Sequence, residues 1–153
     1  MQDSLSTIAP SSSYRKFLCS DPAISTSSCR WAGLPLAPDG TPLIRTGDTA
    51  RDIFFVERGQ LAVQEAGPDG TKIRLRTMTA GAIVGEVALY TRQPRGADVL
   101  ALEETVVCRL SEASLARLEA ESEAAAVLLH RLVAMNLSGK LTVANRLIQR
   151  ARL

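Results

Sequence analysis

The sequence predicts an α+β domain in which short antiparallel strands come first and helices last. Two observations carry this. Between Thr41 and Leu110, runs of β-type residues alternate with glycine and proline turn signals. From Ser111 onward, the apolar residues recur at helical spacing instead. At 153 residues the chain has room for one such domain and little more.

The elements follow in order. Residues 1–33 are Ser-rich (Ser4, Ser6, Ser11, Ser12, Ser13, Ser20, Ser25, Ser27, Ser28) and carry no hydrophobic period, so this segment is expected to be disordered. It has Arg15 and Lys16 but no apolar stretch behind them, which argues against a secretory signal. The β part, with the loop it carries, is expected over residues 34–121. Pro42–Arg45 forms a strand, Thr46-Gly47-Asp48 a turn, and Ile53–Arg58 a strand that Gly59 breaks. Gln60–Glu65 alternates polar and apolar, as a half-buried strand does. Pro68-Asp69-Gly70 is a hairpin turn, with Gly70 supplying the positive φ. Thr71–Arg76 alternates again, its basic side chains on one face and aliphatic ones on the other. Ala97–Leu102 and Thr105–Leu110 close the β part.

Ser111 caps a helix through Glu112, Leu115 and Leu118, and Ser122 caps a longer one from Glu123 towards Arg150. Leu128, Leu132, Leu137, Leu141, Ala144 and Ile148 share one side of that second helix. About 28 residues at ~1.5 Å each make a rod of roughly 40 Å. One small β domain cannot cover that length, so the far half of residues 122–153 is expected to pack on a partner.

Composition narrows the function. The chain is 46% hydrophobic and 22% charged, as a globular domain is, and only 4% aromatic, so the core must be aliphatic. No stretch approaches the ~18 apolar residues of a membrane span. A net charge of +2 does not imply a nucleic-acid partner. After Glu123 there is no acid, while Arg131, Lys140, Arg146, Arg150 and Arg152 follow: a solvated helix face, or a surface for an acidic partner or an anionic membrane. Cys19, Cys29 and Cys108 do not form a disulfide framework, Cys108 reads as a small core residue, and a reducing, cytoplasmic location is expected.

One segment breaks the β rhythm. Gly81–Tyr90 reads as a strand ending at Gly85 and a short helix starting at Glu86, with Thr91–Ala97 after it. Unpaired backbone N–H groups in the first helical turn favour an anion. Glu86 adds an acceptor, and Arg95 offers a planar fork of donors suited to phosphate oxygens. Gly96 and Ala97 are small enough for a ligand to approach the backbone. Glu86 and Arg95 could equally form an ion pair within a structural loop.

Gly85-Glu86-Val87-Ala88-Leu89 followed by Pro94-Arg95-Gly96-Ala97 resembles the phosphate-binding cassette of the cyclic-nucleotide-binding domain family. Gly47-Asp48, Phe54-Phe55-Val56 and Gly59 resemble the family's upstream turn and strand–glycine–strand, so the likeness runs from about Gly40 to Arg150. It implies an antiparallel β-roll, a jelly-roll-like double-stranded barrel, carrying a short cassette helix and C-terminal lid helices. It implies that Glu86 accepts the ribose 2′-hydroxyl and that Arg95 pairs with the cyclic phosphate. Gly85 and Val87 complete the cassette turn, and the N–H groups of Ala88, Gly96 and Ala97 assist Arg95. The long helix would close over the base; among its polar residues Asn136, Lys140, Thr142 and Asn145, Asn136 is the expected base contact. Val127, Leu128 and Leu132 would cover the base. Gly96 lacks the hydroxyl that holds guanine in its syn form in the family, so cAMP is expected to bind at least as well as cGMP. Asp98 departs from the family's small residue there, and a carboxylate facing the phosphate would oppose binding. Arg95→Ala is expected to weaken binding while barely moving the melting temperature.

No catalytic role is expected. A metal-dependent β-barrel enzyme needs several histidines, and His130 is the only one. Neither a GxSxG elbow nor a GxxxxGK phosphate loop occurs. No cofactor is expected beyond the ligand, cAMP or cGMP. The chain ends at Leu153 without a recognition helix, so direct DNA contact is not expected. A homodimer, or attachment to an effector or transporter, is the expected setting, and the helix from Arg131 to Arg146 loosely resembles sensor domains of bacterial sulfate-permease-type transporters. Two alternatives remain: a degenerate fold serving as a protein-interaction module, and a truncated transcription regulator.

Overall fold

The computed structural model describes residues 34–36, 40 and 42–151. Residues 1–33, with Cys19 and Cys29, lie outside them, so the expectation for that segment falls on residues not described. Among the described residues, eight strands form two four-stranded antiparallel sheets. The first, in order β1-β8-β3-β6, contains β1 (Leu34–Leu36), β8 (Thr105–Leu110), β3 (Ile53–Arg58) and β6 (Ile83–Val84). The second, in order β2-β7-β4-β5, contains β2 (Pro42–Ile44), β7 (Asp98–Ala101), β4 (Leu61–Ala66) and β5 (Lys72–Met78). The β-roll is thus an α+β sandwich of two sheets with free edges, and not a closed barrel. Helix α1 spans Glu86–Thr91, α2 spans Glu112–Glu121 and α3 spans Glu123–Ala151.

Two cores share the first sheet. Between the sheets lie Ile44, Phe54, Val56, Leu61, Met78, Val84, Val99, Ala101 and Val107. On its outer face Ile53, Phe55, Ile83, Cys108 and Leu110 pack against Leu115 and Leu118 of α2 and Ala125, Ala126, Leu129 and Val133 of α3. This explains why Ile53–Val56 is an unbroken apolar run: successive side chains of a strand point to opposite faces, and here both faces are covered.

Three expectations need correction. β5 is an edge strand, and its alternation of basic and aliphatic residues does not mark a buried face, since Ile73 and Leu75 are half-exposed. A register shift at Val63/Gln64 breaks the alternation across β4 and β5, as a bulge does. In α3, Val127 and Leu128 are largely exposed, because the helical phase turns Ala125, Ala126, Leu129 and Val133 towards the sheet. The two helix starts agree with the sequence: Ser111 accepts from the N–H of Ser114 at 3.1 Å, and α3 begins directly after Ser122.

Candidate functional site

β6 ends at Val84, and the chain turns through Gly85 at φ +86° directly into α1. Two constraints demand glycine here. The left-handed conformation is costly for residues with a side chain, and a Cβ would lie 2.8 Å from both Arg95 Nη1 and the Asp52 carbonyl oxygen. Arg95 therefore lies directly beneath this turn. Its Nη1 donates to the Gly85 carbonyl and its Nη2 to the Asp52 carbonyl, each at 2.6 Å. Its main chain is clasped as well: Arg95 N–H donates to Asp48 O at 2.9 Å, and Gly47 N–H to Arg95 O at 2.8 Å. The Gly47-Asp48 turn thus holds the backbone of the arginine while Gly85 and Asp52 hold its fork. Burial pulls the guanidinium below its ordinary pKa, and the carboxylates of Asp52, Asp48 and Glu86 oppose the fall.

Glu86, the first residue of α1, is buried and does not pair with Arg95. Its Oε1 accepts from Lys140 Nζ of α3 at 2.5 Å, and the same ammonium donates to the Ile83 carbonyl at 2.6 Å. Burial lowers the Lys140 pKa; Glu86 opposes this, and Arg76 adds to it.

These groups surround one cavity of about 490 Å³, within the ~300–1,000 Å³ of small-molecule sites. Gly85, Glu86, Val87, Ala88, Arg95, Gly96 and Ala97 all line it, so the sequence-derived residues of the cassette converge on one space. Ile44, Val63, Leu75, Met78 and Val99 form its apolar floor and walls, and Glu65 and Arg76 add charge. α3 closes it with Leu137, Lys140, Leu141 and Ala144. These positions are three and four apart, one helical face. Asn136, the expected base contact, is not among the lining residues; its Oδ1 is buried without a hydrogen-bond partner. Val127, Leu128 and Leu132 do not reach the cavity either, since they sit one or more turns too early and out of phase. Thr142 turns its hydroxyl onto the Ser138 carbonyl.

Asp98 faces away from the cavity. Its carboxylate accepts from the Thr46 N–H at 2.7 Å, the Thr46 hydroxyl at 2.9 Å and Lys72 Nζ at 2.6 Å. The Lys72 and Thr46 bonds hold its pKa down at about 2. It therefore places no charge against an anion beside Arg95. A second polar chain joins the helices: Tyr90 OH meets His130 Nδ1 at 2.7 Å, and His130 Nε2 meets Glu119 at 2.9 Å. Burial, then Glu119 and Glu86, raise the Tyr90 pKa. Among the described residues no cluster of three or more His, Cys, Asp or Glu could hold a metal, and no helix is long and apolar enough to cross a membrane.

A two-sheet β domain that buries an arginine and a carboxylate beside one cavity is suited to hold a small anionic molecule. The chain belongs to the cyclic nucleotide-binding domain family, whose profile matches residues 36–122, more than half of the sequence. It is 37% identical over 78 residues to the Pycsar effector protein XpPycTIR of Xanthomonas perforans, covering 50% of this chain and 24% of that protein. Its fold resembles a cyclic nucleotide-binding domain from Methylobacillus flagellatus KT (TM-score 0.71, 23% identity, 76% of this chain and 66% of that one). It also resembles the regulatory domain of Toxoplasma gondii PKA in complex with cAMP (TM-score 0.54, 27% identity, 67% of this chain and 38% of that one).

Proposed function

We propose that this domain is a sensor that binds a cyclic nucleotide in the cavity beneath α3, with cAMP the expected ligand and no catalysis of its own. The observation that carries the reading is the convergence of Arg95, Glu86 and the Gly85 turn on one cavity. Arg95 holds the cyclic phosphate and Glu86 accepts the ribose 2′-hydroxyl. The N–H groups of Ala88, Gly96 and Ala97 add donors at the phosphate, and the base lies against the apolar floor and α3. The PKA regulatory domain of T. gondii was solved with cAMP, which supports that choice of ligand.

α3 is both lid and output. It supplies one wall of the cavity, and beyond Val133 its apolar residues Met135, Val143, Leu147 and Ile148 are half-exposed or more. A ligand moves such a helix only as far as its affinity differs between the two helix positions. The exposed stripe suits a second copy or an attached effector, and a cytoplasmic setting fits Cys108, whose buried thiol donates to Glu57. Calorimetric titration of the full chain with cAMP tests the reading; saturable binding accompanied by altered amide exchange across Leu128–Ile148 is expected. Absence of heat at millimolar cAMP and cGMP would favour the ligand-free interaction module. The closed arrangement of Glu86 with Lys140 and of Arg95 with two carbonyls is the observation on that side.

A further inference from the structure

Lys140 is the one lysine on α3, set in a helical face otherwise made of Val133, Leu137, Leu141 and Ala144. Burying an ammonium is costly unless it is paired and hydrogen-bonded. Its two partners are the Glu86 carboxylate at the start of α1 and the carbonyl of Ile83, the first residue of β6. The consequence for Glu86 is coverage: with Lys140 in place its side chain keeps 3% of its surface exposed. Lys140 holds Oε1, so a ligand hydroxyl directed at that oxygen meets the ammonium first. That oxygen becomes available only when the ammonium leaves.

We infer that Lys140 is a specificity-determining residue of this cavity, an internal occupant of the Glu86 carboxylate that a ligand must displace with a hydroxyl of its own. The inference rests on the cyclic-nucleotide reading of the cavity and adds the residue that sets its threshold. A ligand bearing the 2′-hydroxyl replaces one hydrogen bond to Glu86 with another. A ligand lacking it would leave a buried carboxylate without a donor, so the lysine stays. The 2′-hydroxyl and the docked lysine compete for the same oxygen, hence each weakens the other's hold on it by the same factor. Because Lys140 joins the far half of α3 to the sheet, occupying Glu86 and releasing that half become one event. The same lysine thus converts a ribose hydroxyl into a helix movement.

The test is calorimetry on the full chain with cAMP and 2′-deoxy-cAMP, comparing the parent with Lys140→Met, which keeps the stem and removes the charge. Lys140→Met should bind cAMP about tenfold more tightly, the size of one charge-assisted hydrogen bond no longer in competition. Its preference for cAMP over the 2′-deoxy ligand should widen, since the hydroxyl then gains Glu86 without displacing anything. Lys140→Gln, whose amide still donates weakly, should fall between, and it carries both comparisons if the Met variant loses its thermal transition. Binding by Lys140→Met alone, with a silent parent, also supports the inference. Equal or weaker binding by both variants overturns it, making Lys140 a bystander or a ligand contact while the cavity reading stands. No binding of either nucleotide by any of the three proteins overturns the cavity reading, and the inference with it.

Discussion

Replacing Arg95 with alanine should do two things, and only one of them concerns the ligand. Arg95 is 5% exposed, and its two terminal nitrogens hold the Gly85 and Asp52 carbonyls at 2.6 Å. Hydrogen bonds with a charged donor contribute ~1.5 to 3 kcal/mol each. Water entering from the cavity regains part of that, which leaves a loss of about 2 kcal/mol. At roughly 4 °C per kcal/mol for a domain of this size, Tm should fall by about 8 °C. The structure thus reverses the expectation from sequence that stability would hardly change. Affinity for cAMP should fall at least tenfold, because the phosphate loses its cation. Arg95→Lys should recover little of either effect, as one ammonium cannot bridge two carbonyls and a phosphate. Thermal melts with and without cAMP, together with calorimetry, measure both quantities. An unchanged apo Tm would refute the structural role, and unchanged affinity would refute the phosphate role.

Other expectations follow from the same geometry. Glu86→Gln should narrow any preference for cAMP over 2′-deoxy-cAMP, measured by competition titration; a parent protein indifferent to the two ligands would remove Glu86 from the site. Gly96 offers no hydroxyl to a syn guanine, so cAMP should compete at least as well as cGMP, and a clear cGMP preference would contradict this. Asp98 has a carboxyl held at about 2, below its reference value of 3.8. A depressed pKa gives stability that is present above the unfolded value and lost as pH falls through the folded one. Asp98 should therefore contribute to an acid limb between about pH 4 and pH 2, and Asp98→Asn should flatten that limb in pH-dependent melts while leaving cAMP affinity nearly intact.

The cassette was legible because its chemistry is local. Gly85, Glu86 and the Pro94–Ala97 segment lie within 13 residues of one another, and a glycine between strand and helix announces the turn. The strands Ile53–Arg58 and Thr105–Leu110 were legible from their β-branched and aromatic runs. Lys140 was harder. It lies 54 residues from Glu86, and the polar residues of α3 can be ranked only when the helical phase against the sheet is known. Its signal was a lysine inside an apolar face, spaced three after Leu137 and four before Ala144. Asn136 shares the helix but is not on the cavity face, a distinction that rests on the same helical phase. The orientation of Asp98 needed the register of β7 against β4, where it pairs with Gln64. β1 is three residues long and contains a proline, too short for alternation to appear.

The strand β3 separates two duties by a single step of the backbone. Phe54 and Val56 face the core between the sheets, behind the cavity-lining Ile44, Met78, Val84 and Val99, while Ile53 and Phe55 face the helices that would carry the response. Adjacent codons thus govern different properties of the protein. Variation at the even positions would act on the packing behind the cavity wall, and variation at the odd ones on the packing of the helices. A lineage, or an engineer, could exchange the helical cap for another output while leaving the floor of the receptor untouched.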